Sequence, residues 1–321
     1  MSQIPTQPDG PMFDAFGRPP VPDLVVPRAI LPFHLDQRPV RGRLVRLGPL
    51  ADALLRRHDY RPEVAKLTGE AMALTAGLGA ALKFEGSFSL QAKGDGPLSL
   101  LLADCTHAGA LRGYAKVNQE KLAGLEAFGA ATLLGKGYLA FTCDQGPEMD
   151  RYQGIVAIEG ETLTEMTGAY FRNSEQIDTY LKLACEETPA GWRASALLLE
   201  RVAGAGGLDQ PLDEDQQQEA WHTATILART ISMSELLDDT LSGEQVLHRL
   251  FHAEGLRLDR PKPLSYGCRC SRERLLNVLG GFGTDDLDHM ADGGTITMTC
   301  EFCNFDFRFD RAALAAREAG N

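Results

Sequence analysis

The sequence lacks any uninterrupted apolar stretch of the roughly 20 residues that a membrane-spanning helix needs. Its N-terminus also lacks the basic stretch and apolar core that mark a secretory signal peptide. Positive charge is not in excess either: the formal net charge is -12, which argues against a nucleic-acid backbone as the main binding partner. We therefore expect a soluble, cytoplasmic protein with no membrane and no nucleic-acid partner.

The common motifs of enzymes are missing as well. The 321 residues contain no nucleophile elbow, no P-loop and no plausible catalytic triad. His248 and His252 are four residues apart and could share one helix face, but the sequence context of a zinc protease is absent, so packing or solvent exposure is the better interpretation. We expect no enzymatic turnover.

Cysteine is present in an odd number, seven, which suits a reducing cytosol better than a disulfide-stabilised secreted fold. Cys105, Cys143 and Cys185 each stand alone in the sequence. Isolated cysteines are usually small buried hydrophobic residues, and we expect that role for these three.

The other four cysteines form two close pairs, Cys268 with Cys270 and Cys300 with Cys303, with 29 residues between the pairs. Two pairs of thiolates joined by a spacer that can fold back are what a tetrahedral Zn²⁺ site requires. Strand-like residues precede and follow the second pair, so it should lie at the tip of a hairpin that resembles a zinc knuckle. The sequence therefore predicts one Zn²⁺ per chain, bound by all four thiolates.

The first cysteine pair is unusual because a single residue separates its members, where structural zinc sites usually have two to four. A disulfide within this pair would close a very small ring and displace the backbone that holds the metal. Two interpretations remain open: an inert zinc ribbon that only stabilises the C-terminal domain, or a site that loses its fold on oxidation. His289 could replace a thiol, but the four cysteines already complete the shell.

The charge around the zinc ligands does not favour nucleic acid. Residues 259–311 contain seven Lys or Arg against nine Asp or Glu, a net charge of -2 before any thiolate is counted. Zinc modules that bind nucleic acid are normally basic.

The rest of the chain predicts an α+β protein. Residues 1–28 are rich in proline and should form a disordered leader. Residues 29–207 should form a core domain with an antiparallel sheet and covering helices, including a helix from Pro62 to Leu82 whose small residues allow close packing. Strands are predicted at 40–47, 87–92, 98–103, 113–117, 137–142, 154–158 and 192–201, and helices at 164–174 and 175–184.

Downstream of the core domain, residues 208–258 predict a metastable linker of short amphipathic helices. Such helices are marginal alone and gain stability from the surface on which they pack. A plain helical connector is the alternative. Residues 259–314 should form the small zinc domain, and residues 315–321 a tail.

Several motifs resemble the thirty-three-kilodalton heat-shock chaperone family of bacteria. The most specific is Gly-Cys-Arg-Cys-Ser-Arg-Glu-Arg at 267–274 with Thr-Cys-Glu-Phe-Cys-Asn at 299–304. Supporting matches lie at 247–255, 94–98, 112–115, 152–156, 170–171 and 174–176, so the resemblance covers about residues 29–312.

This resemblance implies an ATP-independent, redox-regulated holdase that binds unfolding client proteins under oxidative stress. It implies that Cys268, Cys270, Cys300 and Cys303 bind zinc when reduced. On oxidation the pairs Cys268–Cys270 and Cys300–Cys303 would form disulfides, release the metal, and unfold the C-terminal switch and the linker. The resemblance further implies a monomer when reduced and a homodimer when oxidised.

Two other classes of function stay open. A zinc-ribbon adaptor for nucleic acid or the ribosome would need a basic face and would act in its reduced zinc form. A thiol-disulfide oxidoreductase would turn over thiol substrates and keep its fold through the redox cycle. Metal release coupled to unfolding would distinguish the chaperone from both.

Overall fold

The structure is a computed structural model that describes residues 21–36, 38–82, 85–146, 149–202 and 213–318. The chain folds into two compact units, one spanning Asp23–Gly267 and the other containing the chain from Cys268 onwards. Each unit has its own hydrophobic core.

The larger unit is built on one extensive sheet. Its strands are β1 Val25–Leu35, β2 Val40–Arg46, β3 Ser87–Gly94, β4 Leu98–Thr106, β5 Ala110–Val117, β6 Gly137–Asp144, β7 Tyr152–Ala157, β8 Thr179–Thr188, β9 Gly191–Arg201, β10 Leu256–Leu258 and β11 Lys262–Tyr266. Their order in the sheet is β7-β6-β3-β4-β5-β11-β1-β2-β9-β8, and β10 also pairs with β1. Neighbouring strands are antiparallel except for β11 and β5, which are parallel. The predicted α+β class is confirmed.

Helices cover both faces of this sheet. They are α1 Pro49–Leu55, α2 Pro62–Gly79, α3 Gln119–Ala123, α4 Ala130–Leu134, α5 Leu163–Tyr170, α6 Glu214–Arg229, α7 Met233–Leu237 and α8 Gly243–Phe251. A π-helical turn, Phe171–Glu175, extends α5. Among the helices in the described ranges, none is both long and apolar enough to span a bilayer.

Helix α2 lies against one face of the sheet at very short range. Pro62 occupies its first turn, where the missing N–H costs nothing. A Cβ atom on Gly69 would lie 2.3 Å from Cys185 Sγ, and one on Gly77 would lie 2.6 Å from a methyl carbon of Leu198. Only glycine fits at these two positions, which confirms the predicted close packing of this helix.

Helices α6, α7 and α8 pack on the opposite face, over β1, β2 and β9. Each begins with a capping box, in which an N-cap side chain and the residue three positions later satisfy each other's backbone N–H groups. Their apolar stripes join the sheet in a second core cluster that includes Phe33, Leu44, Leu197, Leu247 and Phe251. These helices therefore belong to the same compact unit as the sheet, and their role as a metastable linker remains a prediction.

The second unit is small. It contains α9 Arg272–Leu279, α10 Thr284–Met290, α11 Arg311–Glu318 and a three-stranded antiparallel sheet of β12 Ala291–Asp292, β13 Thr295–Cys300 and β14 Phe305–Asp310. Among the side chains that the structure describes, its core consists of the five buried residues Leu279, Leu287, Ile296, Phe307 and Phe309. So few apolar side chains rarely stabilise a chain of this size without a metal or a disulfide.

One predicted helix is wrong. Residues 175–184 were expected to be helical, but most of this segment belongs to β8, which pairs with β9 over its full length. Leu183, Ala184 and Cys185 are all buried because both faces of the strand are covered. Burial on both faces removes the alternation of apolar and polar residues by which a strand is recognised in a sequence.

Two domain boundaries in the structure differ from those expected from the sequence. Strand β1 begins at Val25, so the last residues of the expected leader 1–28 belong to the sheet. Strand β11, expected within the zinc domain 259–314, pairs with β1 and β5 of the large sheet. Most of the leader, the end of the expected core domain at 203–207 and the end of the tail 315–321 lie outside the described residues.

Glu70 on α2 should make stability pH-dependent. Burial raises the pKa of its carboxyl to about 7, an effect that Lys66 partly offsets. The folded state therefore favours the protonated form, and the associated stability is present below the unfolded pKa and is lost as the pH rises through about 7. We expect Glu70→Gln to be the more stable protein at pH 8, by up to about 3 kcal/mol.

Denaturant unfolding at pH 5 and pH 8 measures this difference, with exposed Glu120→Gln as the control. The control should follow the parent protein at both pH values. An equal stability change on Glu70→Gln at pH 5 and pH 8 would contradict the assignment.

Candidate metal centre

The second cysteine pair lies at the turn of a β-hairpin, as the sequence predicts. Strands β13 and β14 pair from Thr295–Asp310 to Cys300–Phe305, so Cys300 ends one strand and Cys303 lies in the turn. Asn304 has a positive φ of 52°, and its N–H donates to the Cys300 carbonyl oxygen at 2.7 Å. Asparagine is one of the few side chains that tolerate this left-handed backbone, and it lets the chain turn within four residues.

The first cysteine pair lies between an ordered strand and a helix. Gly267, directly before Cys268, donates its N–H to the Leu111 carbonyl oxygen at 2.7 Å. Ser271, directly after Cys270, is the N-cap of α9 and accepts from the Arg274 N–H. The two thiols therefore sit in a short segment that is fixed at both ends.

The four sulfur atoms converge on one point. Cys268 Sγ lies 3.4 Å from Cys270 Sγ and 3.6 Å from Cys300 Sγ, and Cys270 Sγ lies 3.5 Å from Cys303 Sγ. All four lie within 4.8 Å of one another, and all are free thiols. A regular tetrahedron with zinc–sulfur bonds of about 2.3 Å has sulfur separations of about 3.8 Å, so this donor set fits Zn²⁺.

The thiols of the cluster perturb one another. Hydrogen bonding with Cys270 lowers the pKa of Cys268, and hydrogen bonding with Cys268 lowers the pKa of Cys300. Hydrogen bonding with Cys268 raises the pKa values of both Cys270 and Cys303. The thiols therefore titrate as one coupled group, and a divalent cation bound by thiolates would neutralise the negative charge that they acquire on deprotonation.

The remaining cysteines lie elsewhere. Cys105 and Cys185 are buried, as predicted, and burial raises the pKa of Cys105 to about 12 and also raises that of Cys185. Cys143 is less buried than the role of a small buried hydrophobic residue implies, and desolvation raises its pKa too. A thiol with a raised pKa holds little thiolate at neutral pH and reacts slowly.

The histidines do not join the metal site. His289 is exposed, and its Nδ1 lies 2.6 Å from the Asp285 carbonyl oxygen. His248 on α8 and His252, directly after the end of α8, are exposed and stack at 5.1 Å between ring centroids. Within the described ranges, the four cysteines are the group of three or more ligand-type residues that could hold a metal.

Side-chain contacts that stabilise the cysteine hairpin were not predicted from the sequence. The Arg272 guanidinium lies 4.5 Å from the ring centroid of Phe309 and donates to the Arg308 carbonyl oxygen at 2.8 Å. Arg311 pairs with Asp288 at 2.7 Å, which ties α11 to α10. These are contacts between side chains distant in sequence, and only the Arg-rich start of α9 could have suggested one of them.

Comparison with known proteins places this architecture in a known class. A family model described as "Hsp33 protein" matches residues 29–310. A protein named 33 kDa chaperonin from Caulobacter vibrioides is 43% identical over 287 residues, which covers 87% of this chain and 93% of the relative. A protein of the same name from Pseudomonas fluorescens is 37% identical over 290 residues, which covers 90% of this chain and 92% of the relative.

The fold has a solved counterpart. The crystal structure of a 33 kDa chaperonin, a heat shock protein 33 homologue from Thermotoga maritima, superposes with a TM-score of 0.74. The match covers 92% of this chain and 100% of the other at 20% identity, so it supports the fold alone. Fold and sequence together define a bacterial chaperone. The chain belongs to the Hsp33 family.

We expect the purified reduced protein to contain about one Zn²⁺ per chain, and Cys303→Ser to lose most of it. Cys303 is the most buried of the four thiols, and a serine hydroxyl is a poor zinc ligand at neutral pH. Metal analysis after a desalting step measures the content. Cys143→Ser is the matched control, and equal zinc in the two variants would contradict the assignment of the ligands.

Proposed function

We propose that this member of the Hsp33 family is a redox-regulated, ATP-independent holdase that binds unfolding proteins under oxidative stress. The observation that carries the proposal is the cluster of four free thiols within 4.8 Å of one another in a unit with a five-residue core. Such a unit depends on its cysteines for stability, so a chemical change at sulfur becomes a change of fold. The family membership supports the chaperone function.

In the reduced state, Cys268, Cys270, Cys300 and Cys303 would hold one Zn²⁺ and would remain thiolates. The metal would join the two halves of the small unit, which are the segment that carries the first cysteine pair and the hairpin that carries the second. Structural zinc of this kind contributes on the order of 10–16 kcal/mol, and that binding energy is folding energy. The core of the small unit is too small to replace such a contribution.

A peroxide-class oxidant would convert the four thiols into two disulfides. In each pair one thiolate attacks a peroxide oxygen, which breaks the O–O bond and yields a sulfenic acid and hydroxide. The second thiolate then attacks the sulfenic sulfur, so that the S–S bond forms and a further hydroxide leaves. Two pairs consume two peroxide molecules, and no thiolate remains as a metal ligand.

The proposed pairing is Cys268–Cys270 and Cys300–Cys303. It rests on the family resemblance, because the distances in the cluster do not select it: Cys268 Sγ lies 3.4 Å from Cys270 Sγ and 3.6 Å from Cys300 Sγ. Each proposed disulfide closes a short loop within a few residues. Neither would connect the two halves of the small unit, so both halves would become free to unfold.

The client surface would come from α6, α7 and α8 and from the sheet beneath them. Phe251 of α8 stacks on Phe33 of β1 at 5.4 Å between ring centroids, and Leu247 and Leu44 are buried in the same cluster. If the helices leave the sheet, both apolar surfaces become accessible. Such surfaces bind unfolded chains through non-directional hydrophobic contact, which suits clients without a common sequence.

The remaining properties of the proposal follow the family. The protein would act in the cytoplasm, as a monomer when reduced and a homodimer when oxidised. Its formal net charge of -12 would keep complexes with unfolded clients soluble.

The direct test is light scattering from a heat-unfolding client protein. We expect the zinc-loaded, reduced protein to leave aggregation unchanged, and the protein treated with peroxide at mild heat to suppress it, because only the second has lost its thiolate ligands. The same comparison on Cys143→Ser controls for oxidation of an unrelated thiol. Equal suppression by both redox forms would mean that zinc is only structural, and suppression by neither would exclude the holdase.

Peptide mapping tests the pairing. After oxidation, we expect proteolytic fragments that contain Cys268–Cys270 and Cys300–Cys303 as internal disulfides, each about 2 Da lighter than its reduced form because two hydrogens are lost. A fragment that joins residues 268–270 to residues 300–303 would contradict the pairing and would leave the two halves of the small unit connected.

A further inference from the structure

We propose that three cations on the sheet form a latch that holds α6, α7 and α8 in place and sets how easily they detach. The latch consists of Arg46 on β2, Arg193 on β9 and Lys182 on β8. These side chains bind α6, α7 and α8, the linker helices, chiefly at or just beyond the helix C-terminal ends. The meaning of the latch for regulation rests on the proposed function. The detachment that it controls can be measured without a client.

The three cations lie on neighbouring strands, since the order at this end of the sheet is β2-β9-β8. Arg46 is opposite Ser195 of β9, and Lys182 is opposite Leu197 of the same strand. Arg193 is only 7% exposed. The cations therefore border the apolar area that α6, α7 and α8 cover.

Arg46 binds three backbone carbonyl groups at once. Its Nε donates to the Leu236 oxygen at 3.2 Å, and its two terminal nitrogens donate to the oxygens of Asp238 and Leu241. Helix α7 ends at Leu237, where the chain becomes extended at Asp238. The last carbonyl groups of a helix have no partner within it, and a cation placed there satisfies both their hydrogen bonding and the helix dipole.

The other two cations act on either side of this contact. Lys182 donates to the Ile231 oxygen, just beyond the end of α6. The Arg193 Nε lies 2.6 Å from an Asp239 carboxylate oxygen, in the segment between α7 and α8. Each connection between the linker helices is therefore held by a cation from the sheet.

This arrangement should make release cooperative. The three oxygens around Arg46 come together only while the turn of α7 and the segment up to Leu241 are folded. If that segment unfolds, Arg46 loses its acceptors together, and a partly buried cation without acceptors is unfavourable. The latch thus recognises the folded backbone of the linker, and small local distortions are resisted until the whole segment leaves.

Hydrogen exchange on the intact, reduced and zinc-loaded protein tests the latch. In Arg46→Met we expect backbone amides of α7 and α8 to exchange roughly tenfold to a hundredfold faster, with zinc retained, since hydrogen bonds to a charged group are lost. The matched control is Arg41→Met on the same strand, whose side chain is half exposed and pairs with Glu200. Exchange in α7 and α8 equal to that of the control would overturn the proposal.

A variant in the segment between α7 and α8 controls for the possibility that a substitution in the sheet disturbs its folding. Asp239→Ala removes the carboxylate that pairs with Arg193 and changes no residue of the sheet. We expect a smaller increase in exchange, roughly tenfold, in the same helices. Protection of α2 shows that the sheet unit remains folded. An unchanged exchange rate in Asp239→Ala would remove Arg193 from the latch, whereas the result for Arg46→Met decides the proposal itself.

The aggregation assay separates this proposal from the proposed function. If α7 and α8 of Arg46→Met exchange faster and this variant suppresses aggregation without oxidant, both proposals are supported. If these helices exchange faster but neither the variant nor the oxidised parent protein suppresses aggregation, the latch stands and the holdase function fails.

Discussion

The convergence of four sulfur atoms is the constraint on which the small unit depends. Cys268 and Cys270 come from a segment fixed by Gly267 and Ser271, while the other pair comes from a hairpin and follows after 29 intervening residues. A core of five buried side chains cannot by itself hold two such distant segments at a sulfur separation of 3.4 to 3.6 Å. In the proposed function, the state of the sulfurs therefore decides whether the unit is folded.

The docking of α6 to α8 on the large sheet is the second interaction on which the proposed function depends. Helices α6 to α8 are short, and they owe their stability to the apolar sheet face under them and to the cations at its border. Strand β11 belongs to the large sheet and leads directly into Cys268, so the chain that carries the first thiol pair is continuous with the structure that supports the linker helices. A chemical change at sulfur thus begins next to that sheet in sequence.

Local sequence patterns predicted the parts of this structure that follow local rules. The cysteine spacing predicted that the four thiols converge, the strand-like residues around Cys300 and Cys303 predicted the hairpin, and Pro62 with the small residues that follow it predicted α2. Sequence patterns did not predict the elements whose structure depends on tertiary contacts. Strand β8 is buried on both faces, so its apolar and polar residues do not alternate, and β11 is held by pairing with strands distant in sequence. The cations of the latch could not be predicted from the sequence either. Arg46 donates to carbonyl groups about 190 residues away, and no spacing of residue types encodes such a contact.

The central claim is that the sulfur centre controls the docking of α6 to α8 on the sheet. The most direct measurement is a stepwise peroxide titration of the zinc-loaded protein in which zinc release and hydrogen exchange of α8 are recorded on the same samples. The account predicts that loss of protection in Val246, Leu247 and Leu250 follows zinc release, while α2 stays protected. Complete release of zinc with α8 still fully protected would contradict it, because the two units would then be energetically independent.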